Sequence, residues 1–186
     1  MRPRPEAFAS TRCAVLSALF LATAAILSIS LPATPLSTKC PCARYARNSC
    51  GASLLGLPFL VLHPGAHMGR GVEAGLEQVV ASLDAIHAEI PETGTRIALE
   101  TTAGQGSSLG RTFEELAFIL RGCREPERLC VCIDTAHLFA AGYELGDAEG
   151  IVRTFAQFEE VIGFNRLAAI HMNDSKTASR LARGPP

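Results

Sequence analysis

From residue 59 onward, short apolar runs alternate with longer mixed segments, and each of four runs ends on a residue that can bind a metal ion. The runs are FLVL before His63, IAL before Glu100, LCVCI before Asp134 and LAAI before His171. The gaps between these four residues are 37, 34 and 37 positions, close to one strand, one helix and two loops. This repeat predicts successive βα units with a polar side chain at the carboxyl end of each strand, where parallel α/β folds build their sites.

The segments between the runs carry apolar residues at helical spacing. In the first segment they predict one buried stripe, formed by Leu76, Val79, Val80, Leu83, Ile86 and Ile90. The sequence Thr112-Phe-Glu-Glu115 is a capping box that opens a second helix through Leu120. A third helix, roughly Ala148 to Ile162, is predicted to bury Ile151, Phe155, Phe158 and Ile162.

The uninterrupted apolar character of the four strands is typical of a parallel sheet covered on both faces. Such a series forms either an open doubly wound sheet or part of a closed barrel. A complete (β/α)8 barrel needs roughly 200 to 250 residues, and the chain has 186. The expected fold class is therefore α/β, with about four βα units over residues 58–176 that form either a doubly wound sheet or a partial (β/α)8 TIM barrel.

The first 57 residues have a different character. Three arginines precede an apolar stretch over residues 13–31, and the only acid in this part of the chain is Glu6. We expect residues 1–57 to be a targeting-like or hydrophobic segment outside the fold, and 177–186 to be a disordered tail. The composition favours an organelle or the nucleus, with secretion or membrane anchoring through residues 13–31 as the alternative.

Charge and cysteine content narrow the chemistry. Residues 1–58 have a net charge of +5 and the remainder −6, so the predicted barrel segment is not by itself a phosphate-binding surface. Bound divalent cations would reverse that locally. The seven cysteines contain no C-x-x-C pair, and their odd number argues against a disulfide framework. Cys130 and Cys132 alternate in a buried strand and are interpreted as core packing.

Side chains at equivalent strand ends can converge on shared ions, because neighbouring parallel strands lie about 4.8 Å apart. Glu100 and Asp134 are candidates for binding metal pairs, since a carboxylate can bridge two ions. His63 and His171 would add nitrogen ligands. This mixed set suits Zn²⁺ or Mn²⁺ better than Ca²⁺.

Three further histidines need separate interpretations. His137 follows Asp134 by three residues, which one helical turn would bring to the same side, although the position of Asp134 equally fits a plain helix N-cap. His67 is separated from the first run by a Pro-Gly turn, so helical spacing cannot be assumed for it. His87 lies beside the apolar stripe of the first predicted helix and is interpreted as structural.

A glycine-rich loop, TTAGQGSSLG, follows Glu100. Such a loop either presents backbone N–H groups to a phosphate or simply connects a strand to a helix. It matches neither the P-loop nor the dinucleotide-binding fingerprint, so we expect no nucleotide cofactor.

Four strings, HPGAH, LETTAGQGSSLG, CIDTAHLFAAGYEL and IHMND, together resemble the endonuclease IV family over residues 59–176. That family consists of zinc-dependent apurinic/apyrimidinic endonucleases built on a TIM barrel. The resemblance implies DNA repair by cleavage of the phosphodiester 5′ to an abasic site in double-stranded DNA. It also implies three zinc ions, which would activate a water molecule and stabilise the leaving oxygen.

The resemblance assigns the metal ligands by motif. His63 would bind the first zinc, and Glu100, the catalytic metal-bridging residue, would join the first and second. Asp134 and His171 would bind the second zinc, and His137 the third.

The resemblance begins near the fourth barrel strand of the family and ends after the seventh. Other family ligands have no counterpart, and only His137 would remain for the third zinc. We therefore expect a truncated protein that is weakly active or inactive, and a monomer if it folds. The alternatives are a sugar isomerase-like metal-dependent barrel and a non-catalytic barrel fragment.

Overall fold

A parallel sheet organises the part of the chain that the computed structural model describes, residues 27–28, 51–90 and 94–174. Its strands are β1 (Leu27–Ser28), β2 (Phe59–His63), β3 (Arg96–Glu100), β4 (Leu129–Asp134) and β5 (Leu167–His171). Every neighbouring pair is parallel, and the strands lie side by side in chain order. A doubly wound sheet would reverse that order at a switch point. The topology therefore confirms the partial-barrel prediction for β2 to β5.

As predicted, α1 (Val72–Glu89) follows β2 and α2 (Phe113–Gly122) follows β3. A short helix, α3 (Thr135–Ala141), directly follows β4, and the third predicted helix is α4 (Ala148–Val161). One half of the predicted capping box at the start of α2 is present, because the Thr112 hydroxyl accepts a hydrogen bond from the Glu115 N–H at 3.2 Å. The Glu115 carboxylate, however, accepts from the N–H groups of Gly110 and Arg111 rather than from Thr112. It thereby fixes the end of the glycine-rich loop as well as the helix.

The sheet separates two apolar clusters, because alternate residues of a strand point to opposite faces. The helix-facing side contains the larger cluster, which includes Leu62, Leu99 and Val131 of the strands together with Leu83 of α1 and Leu116 of α2. The opposite face, here called the inner face, carries a smaller cluster of Phe59, Val61, Ala98, Cys130 and Cys132. Residues of this inner face lead directly to the side chains at the strand ends.

The predicted burial of α4 is wrong at one position. Phe158 is fully buried and Phe155 packs against the core, but Ile151 is 41% exposed. The buried positions of this helix also include Gly150 and Thr154, which carry no large apolar group. Because α4 follows β4 and lies near the last strand of the sheet, part of its apolar surface has no helix beside it in the described structure.

The folded unit includes residues from the segment that we expected to lie outside it. Leu27–Ser28 pairs in parallel with the end of β2, and Ala52 and Leu57 belong to the helix-facing core. An apolar run typical of a targeting segment serves equally well as a strand, which explains the error at the predicted boundary. The remaining predictions for residues 1–57 and 177–186 fall outside the described residues.

None of the helices within the described ranges is both long enough and apolar enough to cross a membrane.

Candidate metal centre

The strand register places the candidate ligands in two rows on the inner face. Glu100 of β3 pairs with Cys132 of β4, and Asp134 of β4 pairs with His171 of β5. Since side chains two residues apart on a strand share a face, Cys132 and Asp134 point to the same side of the sheet. The site therefore comprises a lower row at Glu100 and Cys132 and an upper row at Asp134 and His171.

Glu100 lies at the centre of the site. Its Oε2 is 2.8 Å from Nε2 of His63, and its Oε1 is 2.8 Å from Nδ1 of His171. Nδ1 of His137 is 3.9 Å from the same Oε1. One carboxylate from β3 thus joins imidazoles delivered by the strands on either side and by α3, as the sequence-predicted bridging role requires.

The electrostatics of Glu100 follow from its partners. Its side chain is only 1% exposed, and this burial raises the pKa of the carboxyl group. Hydrogen bonds from His63 and His171, together with their charges, act in the opposite direction and prevail, so the pKa of Glu100 is lowered overall. The carboxylate is therefore held ionised inside the protein, which is the state that binds a cation.

His137 is held in one tautomer by the backbone. Its Nδ1 lies 2.8 Å from the carbonyl oxygen of Thr101, which directly follows β3. A carbonyl can only accept, so Nδ1 carries the proton and Nε2 of the neutral ring keeps its lone pair. Metal-binding histidines commonly show this arrangement, with one ring nitrogen donating to a carbonyl. Its ring also contacts that of His63, with centroids 5.6 Å apart.

Asp134 is the N-cap of α3, which was the alternative interpretation of this residue. Its Oδ1 accepts from the backbone N–H of His137 at 2.9 Å, and its Oδ2 accepts from the Asn173 side-chain amide. Its own backbone N–H donates to the Thr101 hydroxyl at 2.9 Å. Each carboxylate oxygen retains a further lone pair, so capping and metal binding are compatible. The ligand role of Asp134 stays a prediction.

Two ligand groups emerge from these positions within the described residues. The first contains His63, Glu100 and His137, and the second contains Glu100, Cys132 and His171; in each, the ligand atoms lie within 4.8 Å of one another. The structure thus brings together four of the five predicted ligands and leaves Asp134 beside them. Cys132 was not predicted as part of the site, although its spacing from Asp134 carried the necessary signal.

The three cysteines within the described part of the chain are free and buried. Burial, followed by the charges of Glu100 and Asp134, raises the pKa of Cys132 far above its ordinary value. Burial, only partly offset by Arg96 and Arg166, raises the pKa of Cys130 to about 11. The prediction of reduced, core-packed thiols is confirmed for this pair.

The loops after β2 and β3 pack together beside the site. Ala66 and Ser108 form an isolated antiparallel bridge, and the His67 N–H donates to the Ser107 carbonyl at 2.9 Å. Gly104 has φ +64°, and a Cβ there would lie 2.1 Å from the Arg111 side chain, so this position requires glycine. His67 belongs to neither ligand group.

The donor set fits a divalent cation such as zinc. Tetrahedral zinc with nitrogen and oxygen ligands at about 2.1 Å separates neighbouring donor atoms by about 3.4 Å. The two His–Glu100 pairs are 2.8 Å apart, so opening each by about 0.6 Å would admit the ion. The atoms that share protons in these contacts are those that would coordinate the metal.

Comparison with known proteins places this geometry in context. Residues 51–184 match the family described as "Xylose isomerase-like TIM barrel". The chain is 48% identical over 122 residues to a protein of Geobacter sulfurreducens named "Probable endonuclease 4", covering 66% of this chain and 41% of that protein. The chain spans about half the length of the curated relatives it matches.

Solved structures agree with the sequence comparison. Endonuclease IV from Thermus thermophilus superimposes with a TM-score of 0.65 at 26% identity, covering 96% of this chain and 63% of that one. A D-tagatose 3-epimerase-like protein superimposes with a TM-score of 0.60 at 20% identity, covering 80% of this chain and 55% of the other. The second likeness concerns the fold alone.

Proposed function

The chain belongs to the xylose isomerase-like TIM barrel family, and we propose on this basis that it is a zinc-dependent, endonuclease IV-like DNA-repair hydrolase. The reaction proposed is hydrolysis of the phosphodiester 5′ to an abasic site in double-stranded DNA. The relatives named "Probable endonuclease 4" and the four motifs at the strand ends support this class of reaction.

The observation that carries the proposal is the position of Glu100 between two histidines. Each of its oxygens lies 2.8 Å from a different imidazole, one from β2 and one from β5. A buried carboxylate needs a partner on each oxygen, and here both partners are imidazoles, which are themselves zinc ligands. Two nitrogen donors on opposite sides of one ionised carboxylate are what a bridged pair of cations requires.

The individual residues have distinct proposed roles. His63 and His171 supply nitrogen ligands on either side of Glu100, and His137 offers Nε2 because Thr101 fixes the proton on Nδ1. Asp134 orients α3 through its cap and contributes a carboxylate oxygen. Zinc bound here would activate a water molecule and neutralise the scissile phosphate. Residues 59–186 have a net charge of −6, so phosphate binding depends on the cations.

We further propose that the chain on its own incises DNA weakly. Within the described ranges, His137 is the sole residue that the family motifs assign to a third zinc. Catalytic zinc sites usually have three protein ligands, so a site with one such ligand binds its ion poorly. A weakly held third ion lowers the rate without changing which bond is cleaved.

The experiment is incision of a duplex with one abasic site by the zinc-loaded chain in excess over DNA, with zinc content measured on the same sample. We expect a 3′-hydroxyl product that is lost with a chelator and with Glu100→Gln. The matched control is Glu127→Gln, which removes an exposed carboxylate outside the site. Equal incision by both variants would contradict the proposal, as would incision of undamaged duplex at the same rate.

The two alternatives give different outcomes in the same assay. A sugar isomerase-like barrel would bind metal and leave abasic DNA intact while interconverting an aldose and a ketose. A non-catalytic fragment would do neither. The epimerase-like neighbour supports the shared fold and not the reaction, since its identity to this chain is 20%.

We also propose an organellar or nuclear location and a monomeric state. The argument for location is the arginine-rich start followed by the apolar stretch over residues 13–31, which can alternatively direct secretion or contact a membrane. Imaging the full chain fused at its C-terminus to a fluorescent protein tests the location. Sedimentation equilibrium of the purified chain tests the monomer.

A further inference from the structure

We propose that residues 13–26, an uncharged apolar stretch, cover the inner face of the sheet and fill the interior of the partial barrel. The sequence of this stretch, CAVLSALFLATAAI, is polar only at Ser17 and Thr23. The inference goes beyond the proposed function, because it concerns which part of the chain packs under the strand ends and holds for any reaction there.

The inner face is buried more completely than the elements around it explain. Val61 is 1% exposed, and Ala98, Cys130 and Cys132 are 0% exposed. Neighbouring strands cover the flanks of such side chains, but their outer ends stay open unless another layer lies over the face. Within residues 51–90 and 94–174, no helix contributes to the inner-face cluster, whereas α1 and α2 both contribute to the helix-facing core. The covering layer therefore belongs to another part of the chain.

The burial of the inner face decreases toward one edge of the sheet. Its residues on β2, β3 and β4 are buried, whereas Ala168 and Ala169 of β5 are only partly buried. The covering layer thus lies over the side of the sheet that begins at β1. Residues 175–186 follow β5 and contain three basic residues, so they match neither the position nor the apolar character of this face.

The position of β1 shows where the covering stretch would enter. Leu27 pairs in parallel with Leu62, so the chain reaches β1 from the amino-terminal end of β2. The same register continued by one residue would put Ile26 level with Val61, at the well-buried side of the inner face. Fourteen extended residues reach up to about 46 Å, and β4 lies only about 10 Å from β2. Residues 13–26 are therefore long enough to cross the buried part of the face.

The other segments outside the described ranges suit this position less well. Residues 29–50 contain three prolines and three basic residues, which disfavour burial against the middle of a sheet. Residues 1–12 contain three arginines, and residues 91–93 are too few to cover three strands. An uncharged stretch rich in alanine and leucine instead matches a face made of valine, alanine and cysteine.

The test uses the buried thiols of the full chain as reporters of the layer that covers them. Cys130 and Cys132 belong to the inner face, and Cys123 belongs to the helix-facing core, so Cys123 is the internal control. The remaining cysteines are first changed to serine, namely Cys13, Cys40, Cys42 and Cys50. The rate of maleimide labelling is then measured for each thiol in the native protein, with the labelled positions identified by mass spectrometry.

Two variants are compared in this background. Phe20→Asp introduces a charge in the middle of the proposed covering stretch, and the matched control Leu36→Asp introduces the same charge within residues 29–50. We expect slow labelling of all three thiols in the background protein and in Leu36→Asp. In Phe20→Asp, Cys130 and Cys132 should react at least about tenfold faster while Cys123 stays protected, because only the inner face opens.

Three results would overturn the proposal, each with Cys123 still protected. They are fast labelling of the inner-face thiols in the background protein, unchanged labelling in Phe20→Asp, and equal acceleration in Leu36→Asp. If any of these proteins exposes Cys123 as well, its fold is lost, and photo-crosslinking of the chain with its native cysteines decides.

For that measurement, benzoylphenylalanine is introduced in place of Phe20 and the crosslinked peptides are identified by mass spectrometry. Crosslinks to β2, β3 or β4 support the proposal, and their absence overturns it. Removal of residues 13–26 from the mature protein, as for a cleaved targeting segment, would also contradict it.

Discussion

Strands β4 and β5 are neighbours with matching site residues at their ends, yet they differ in how they are packed. Every residue of β4 is buried, whereas the residues of β5 are partly exposed, with Ile170 at 40%. β4 has a strand on each side, and β5 ends the sheet within the described residues. The comparison teaches that strand-end chemistry and strand burial are separate properties. Asp134 and His171 share a register although their strands contribute unequally to the core.

Replacing Glu100, the carboxylate of β3 that contacts histidines on β2 and β5, should have the largest effect. Glu100→Gln keeps the size of the side chain but removes the charge that contacts both His63 and His171. We expect zinc binding and incision to be lost, because the remaining ligands no longer share an anion. Metal analysis after dialysis measures this, with Glu127→Gln as the matched control. Zinc retained at wild-type stoichiometry in Glu100→Gln would contradict a bridging role.

A pair of truncations tests the packing difference itself. Leu99→Ala, at a fully buried position on the interior strand β3, should lower the free energy of unfolding by about 2–5 kcal/mol. Ile170→Ala on β5 should lower it by about 1 kcal/mol or less, since large losses require a buried site. Urea unfolding of both variants measures the difference. Equal losses would mean that β5 is covered as completely as β3.

Helix caps should show no such difference, because capping is a local interaction. Thr112 caps α2, which packs on the interior strands of the sheet, and Asp147 caps α4, which lies near the last strand, β5. The Asp147 carboxylate accepts a hydrogen bond from the Gly150 N–H. Replacing either by alanine should cost roughly 0.5–2 kcal/mol. The two variants are compared by urea unfolding under identical conditions. A much smaller loss at Asp147 would indicate that α4 is frayed in the native state.

The smallest expected effect concerns His87 on α1 and the loss of folding stability at acidic pH. Burial, followed by the charge of Arg128, lowers the pKa of His87 below its ordinary value of 6.5. At acidic pH the unfolded chain binds a proton at His87 more readily than the folded chain does. The contribution of neutral His87 to the free energy of unfolding is therefore fully present above pH 6.5 and is lost as the pH falls toward the lowered pKa. His87→Leu should reduce this loss, as measured by thermal unfolding on the acid side, at about pH 5, and on the alkaline side, at about pH 8. An unchanged difference between the two pH values would exclude His87 as its source.

Much of the fold was accessible from the sequence because the parallel strands are uninterrupted apolar runs. The runs predicted β2 to β5 and the polar residue that ends each of them. The burial of Ile151 was wrong because an amphipathic pattern cannot report whether a neighbouring element exists to cover it. Leu27–Ser28 was missed because an apolar stretch after several arginines also suits a targeting segment.

The site was predictable as far as its strand ends and no further. The two-residue alternation that places Asp134 on the inner face also places Cys132 there, but burial of a cysteine is so common that the pattern was interpreted as packing. The tautomer of His137 depends on the carbonyl of Thr101, 36 residues away in sequence. The two roles of Asp134, as cap and as candidate ligand, become distinguishable only when the donors around its oxygens are known.

The side-by-side order of the strands has a consequence for how the chain acquires its structure. From β2 to β5, paired residues are separated by only 32 to 37 positions. Each new strand can therefore dock on one already in place as it leaves the ribosome, without waiting for a distant part of the polypeptide. The earliest ligands would be positioned while later ones are still being synthesised, so assembly of the site is vectorial, with His171 the last of the five to arrive.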